Sequence, residues 1–115
     1  LLKLTFLQAN RFPNNTQSDN PKVYFIPQSQ GLGIDSMGEF AVSFELSHQF
    51  VDETGKPAPF IQIANALEKA FNFNFGDVYK SKARIFSRKP YNLTKSLDYL
   101  RTLIVRAGRK QDEKR

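Results

Sequence analysis

Gly31-Leu32-Gly33-Ile34-Asp35-Ser36-Met37-Gly38-Glu39-Phe40 is the stretch on which the reading of this fold turns. It reads as a helix or turn that runs directly into the next element. From Glu39 onward, Phe40, Val42, Phe44 and Leu46 alternate with Ala41, Ser43, Glu45 and Ser47. A period of two predicts a half-buried strand with one polar face. Asp52-Glu53-Thr54-Gly55-Lys56-Pro57 supplies turn chemistry, and Phe60-Ile61-Gln62-Ile63 then reads as the antiparallel partner strand.

Further along, Leu67, Ala70 and Phe71 recur at helical spacing, so Ala64 to Phe73 is predicted to be a helix stopped by Gly76. Asp77 to Ser81 and Ala83 to Arg88 read as a second, strongly basic hairpin that ends at Pro90. Asn92 caps a last helix with an apolar stripe through Leu93, Leu97, Leu100, Leu103 and Ile104. Gly108 closes that helix, and the charged run from Arg109 to Arg115 is expected to be disordered.

Upstream of the opening stretch, Val23-Tyr24-Phe25-Ile26 is closed by Pro27 and reads as a short edge strand or a buried anchor. Arg11 to Pro21 is rich in Pro, Asn, Ser and Thr and reads as a loop. Leu2, Leu4, Phe6 and Leu7 give residues 1–9 the character of a strand or a short docking segment. The organisation expected is an extended N-terminal segment over 1–29, one domain over 30–108 and a charged tail over 109–115.

At 115 residues and 40% hydrophobic content, the chain supports one modest core. A formal charge of +6 and a pI near 9.7 favour a polyanionic partner. The absence of cysteine excludes disulfides and thiolate metal sites. No apolar run reaches the ~18 residues of a membrane span. The Phe, Asn, Lys and Ile bias suits an AT-rich organellar genome, which makes an organelle, and the mitochondrion first, the expected location. A start without Met and a charged end suit a piece of something longer.

Three segments together carry a family resemblance. Ile34-Asp35-x-x-Gly38-Glu39-Phe40 running into a strand, Leu67 to Tyr79 with its glycine turn, and the helix opening at Asn92 follow one another in order. The chain thereby resembles the LAGLIDADG homing endonucleases and maturases over residues 30–105. The resemblance implies an α+β fold, an αββαββα repeat whose four-stranded antiparallel saddle sheet is backed by helices. It also implies that two copies of the motif helix pair, so that a single copy would act as a homodimer or dock into a larger ribonucleoprotein such as a ribosome.

In that family the last acidic residue of the motif holds divalent metal over the scissile phosphate, and Met37 stands at that place here. A thioether is too soft for Mg²⁺, so the resemblance implies a binding scaffold that no longer cuts, with no cofactor. Mg²⁺ enters only under the alternative of an active nuclease that cleaves duplex DNA with other ligands. A structural subunit of a large organellar complex is the other alternative. The resemblance directs nucleic acid, RNA ahead of DNA, to the polar sheet face. Ser43, Glu45 and Gln62 lie there, with Lys80, Lys82, Arg84, Arg88 and Lys89 of the basic hairpin. Arg101, Arg106, Arg109 and Lys110 form a second basic region. His48 is the lone histidine and reads as a surface strand residue, and no hydroxyl belongs to a nucleophile–base constellation.

Overall fold

The computed structural model describes residues 22–113. Among them the chain forms four helices: α1 (Ile34–Ser47), α2 (Phe60–Phe71), α3 (Val78–Phe86) and α4 (Lys95–Glu113), with one 3₁₀ turn at Pro90–Asn92. The expectations for residues 1–9 and Arg11 to Pro21, and for the last two residues of the tail, lie outside the described residues.

The expected α+β saddle is overturned. No sheet is present among the described residues, and the sole β-type pairing is an isolated bridge between Val51 and Pro57. The alternation at Phe40, Val42, Phe44 and Leu46 belongs to a helix. Ile34, Met37, Ala41 and Phe44 recur at spacings of 3, 4 and 3, which places them on one helical face. Met37, Ala41 and Val42 are buried on that face, whereas Leu46 is left largely exposed. The helix wins because it buries this face against α2 and brings Gly38 against α3, a two-sided burial that a strand with one polar face would forgo.

The other strand expectations fail for the same kind of reason. Phe60-Ile61-Gln62-Ile63 is the first turn of α2, whose buried Phe60, Ile63 and Ala64 extend to half-buried Leu67 and Phe71. A four-residue apolar run does not distinguish strand from helix. The supposed basic hairpin is α3: Val78, Ser81 and Ile85 are buried at spacings of 3 and 4. Asp77 caps it, its side chain accepting from the Tyr79 and Lys80 amides at 3.0 and 3.1 Å. The Lys and Arg side chains between those buried positions are good helix formers.

Helix ends also moved. α2 stops at Asn72, which takes the left-handed conformation at φ 53°, four residues before Gly76. Gly108 is inside α4, so Arg109 to Glu113, expected to be disordered, are helical. His48 is the left-handed C-cap of α1 at φ 59°, exposed as expected but not on a strand.

Several local readings hold. The 52–57 segment is a turn, in which one Asp52 carboxylate oxygen accepts from the Thr54 and Lys56 amides and from the Thr54 hydroxyl. The Val23 to Ile26 run, in contrast, is neither an edge strand nor a buried anchor: it is extended and largely exposed, and only half-buried Phe25 holds it, its amide donating to Phe71 O at 2.8 Å and its ring meeting Phe73 edge-on. The core is one cluster of Met37, Ala41, Val42, Phe60, Ile63, Ala64, Phe75 and Val78, centred on α1. No helix of the described residues is long and apolar enough to cross a membrane.

Candidate nucleic-acid interface

Three carboxylates of α1 face the cations of α3 and of the segment that follows it. Asp35 takes a two-pronged ion pair from Arg84, with Nε to Oδ2 at 2.8 Å and Nη2 to Oδ1 at 2.9 Å. Glu45 meets Lys82 Nζ at 3.4 Å, and the same ammonium lies 4.8 Å from the centre of the Phe60 ring. Glu39 accepts from Arg88 Nη1 at 2.6 Å. The geometry thus joins Asp35, Glu39 and Glu45 to Arg84, Arg88 and Lys82. Of the five cations between Lys80 and Lys89, only Lys80 and Lys89 make no ion pair among the described residues.

Burial separates the two arginine pairs. Arg88 and Glu39 expose only 13% and 4% of their side chains. Glu39 also accepts from the Ser96 and Leu97 amides, at 3.2 and 2.8 Å, and so closes the N-terminus of α4. Arg88 donates in addition to Leu93 O, which leaves its head group committed to holding the α3–α4 connection. Ser96 and Ser36 complete this junction through a 2.9 Å hydroxyl contact. Glu39 is therefore a structural carboxylate.

Arg84 is different, with 55% of its side chain exposed. The hydrogen bonds from Arg84, and a further one from the Ser81 hydroxyl, hold the Asp35 carboxyl below its ordinary value of 3.8. Asp35 in turn pushes the guanidinium further above its ordinary range. Because the pair uses one edge of the guanidinium, its other N–H groups remain free to donate outward.

Close helix approach sets this geometry. A Cβ on Gly38 would lie 2.6 Å from Ser81 Oγ and 3.0 Å from Ile85 Cδ1, so only glycine lets α3 sit this near α1. With Val78, Ser81 and Ile85 buried, the opposite side of α3 carries exposed Tyr79, Lys80 and Ala83, with exposed Arg84 at the edge of that side, where it meets Asp35 of α1, and Ser87 as the C-cap. The spacing of Tyr79, Lys80 and Ala83 places them on one helical face.

No family model, curated protein or solved structure matches this chain. Its function is therefore read from its own geometry.

The remaining expected site residues are scattered. Ser43 is half-buried on α1 and donates back to Phe40 O at 2.8 Å. Gln62 is exposed on α2, beside the apolar groove between Phe44 and Leu67. Of the motif residues, Ile34 and Phe40 pack against the core, and Met37 is itself a core residue. Among the described residues no three His, Cys, Asp or Glu side chains converge to hold a metal ion. Sequence reasoning missed Ser81, Ser87 and Ser96. The first of these had a signal, since Val78, Ser81 and Ile85 are helically spaced.

Proposed function

We propose that this chain binds duplex DNA, with the outward face of α3 entering the major groove. The observation that carries this reading is Arg84, half-exposed at the edge of that face and fixed by Asp35 of α1 with donors to spare. A guanidinium already oriented by a carboxylate loses less rotamer freedom when it meets a guanine edge or a phosphate. Lys80 one turn earlier and Lys89 beyond the helix, which make no ion pair among the described residues, are suited to phosphate contacts. Tyr79 adds an aromatic surface to the same face, and Ser87, the C-cap, adds a hydroxyl at its end.

Helix geometry favours DNA over RNA for this role. An α-helix is about 10–12 Å across with its side chains and fits the ~12 Å major groove of B-DNA. The corresponding groove of an RNA duplex is deep and too narrow to be read this way. The proposal rests on helix presentation and needs no sheet.

The test is a binding titration with duplex DNA across a salt series, with structured RNA run alongside. Affinity is expected to fall steeply with salt, and Lys80→Glu with Lys89→Glu is expected to lower the slope by about 2. Arg84→Ala is expected to weaken binding about 5- to 100-fold at fixed salt. Affinity and slope unchanged in these variants would remove α3 as the reading element. RNA bound more tightly than DNA would refute the choice of groove.

A further inference from the structure

We infer that the polar cleft between the 28–33 loop and the start of α4 binds the phosphate group of a nucleotide. This goes beyond the proposed DNA contact of α3 and does not depend on it. The cleft holds about 470 Å³, and Ser36, Lys95, Ser96 and Tyr99 line it together with Asp35 and Arg88. That is the scale of a small-molecule site. Its loop wall is closed by its own backbone, the Gln28 amide donating to Leu32 O at 2.9 Å and the Gly31 amide to Gln28 O at 3.2 Å.

One buried proton in this cleft has no acceptor. Ser36 and Ser96 expose only 6% and 4% of their surface. Their hydroxyls meet at 2.9 Å, and Ser36 Oγ also accepts from the Gly33 amide at 2.9 Å. Two hydroxyls carry two protons, and the bond between them uses one. Among the described residues no oxygen accepts the other. A buried O–H left unmatched is costly, so this donor calls for an acceptor inside the cleft.

Charge selects the kind of acceptor. Asp35 and Arg88 are neutralised by Arg84 and Glu39. Lys95 makes no ion pair among the described residues. The cleft therefore keeps one uncompensated positive charge with its spare hydroxyl proton, which favours an anionic oxygen over a neutral one. The first amides of α4 add nothing to this preference, because Glu39 already accepts from Ser96 and Leu97. Tyr99 extends the site beyond a bare anion. Its side chain is partly exposed, and its hydroxyl lies 3.5 Å from where a Cβ on Gly31 would stand, so the ring tip rests against the loop. A ring held beside an oxyanion site offers a base a surface on which to stack.

Amide chemical shifts of residues 29–36 and 95–97 test this, with adenosine monophosphate and inorganic phosphate as probes. Adenosine monophosphate is expected to move them saturably and to bind more tightly than inorganic phosphate. Lys95→Met, an exposed change to a good helix former, is expected to weaken it about 10-fold or more. Lys110→Met, the same loss of charge at the far end of α4, is expected to leave it unaltered. Tyr99→Leu is expected to lower adenosine monophosphate to the affinity of inorganic phosphate. Absence of a saturable shift at roughly 10 mM nucleotide overturns the inference, as does a shift that the two lysine variants weaken equally or not at all. Acetate that reproduces the shifts at the same concentration also overturns it, because any carboxylate then suffices. Duplex DNA that moves these amides and is displaced by adenosine monophosphate identifies a strand phosphate as the source, whereas DNA that leaves them in place identifies a free mononucleotide. The amides of α3 take no part in this readout, so a failed α3 contact and a failed cleft are told apart.

Discussion

Asp35 and Glu39 stand four residues apart on α1, and their partners Arg84 and Arg88 are also four residues apart, yet the two ion pairs do opposite things. The Glu39–Arg88 pair is sealed at the junction of α1 with the start of α4 and satisfies backbone amides there. The Asp35–Arg84 pair lies on an open surface and leaves its arginine half in solvent. Two carboxylate–arginine pairs one helical turn apart thus yield an exposed donor and a structural clamp. Burial decides the role of each pair, because a desolvated charge cannot be released cheaply whereas an exposed one can exchange partners.

The sharpest way to break this contrast is at Glu39. Glu39→Ala leaves the Arg88 charge buried and two α4 amides without an acceptor, and is expected to destabilise the fold by about 3–5 kcal/mol in urea denaturation. A loss below about 1 kcal/mol would show that the junction tolerates an open pair as the surface does. Gly38→Ala tests the packing beneath both pairs. Its Cβ would collide with Ser81 Oγ, and a loss of about 1–3 kcal/mol is expected. Adding Ser81→Ala should restore part of that loss, measured by the same denaturation.

At the exposed pair the expected change is smaller. Arg84→Ala should cost no more than about 1 kcal/mol of stability while producing its main effect on DNA affinity. A large stability loss with unchanged binding would move Arg84 into the structural class of Arg88. The smallest effect is with pH. The folded-state value of Asp35 lies below 3.8, so its contribution is fully present above that value and is lost as pH falls through the lower, folded one. In Asp35→Asn the acid limb of a stability–pH profile should therefore be slightly shallower below about pH 4, with no change in shape near neutrality. A difference confined to neutral pH would show that the Arg84 pairing does not govern the carboxyl.

Much of the local chemistry was legible before the fold was known. The turn at Asp52 to Pro57 and the apolar spacing through Leu67 and Phe71 reflect short-range rules and were read correctly. The last helix begins later than its sequence suggests: Asn92 lies in the 3₁₀ turn, α4 opens at Lys95, and Leu103 and Ile104 of its apolar stripe stay exposed. The strand misreadings share one origin. Phe40 to Leu46 satisfies a period of two and a helical period at once, and which face is buried depends on α2 and α3, far away in the chain. Without that choice the basic stretch from Lys80 to Lys89 looked like five free cations, although three of them meet α1 carboxylates more than thirty residues distant.

By itself the sequence determined the net positive charge, the absence of thiol chemistry, the turns and the apolar stripes of α2 and α4. All of these are properties of composition or of residues within a turn of one another. Only the tertiary structure decided that α1 and α3 are helices, that Gly38 brings them together, and which cations are neutralised. Those outcomes depend on burial between segments distant in the chain, and burial sets both the worth of an apolar face and the freedom of a charge.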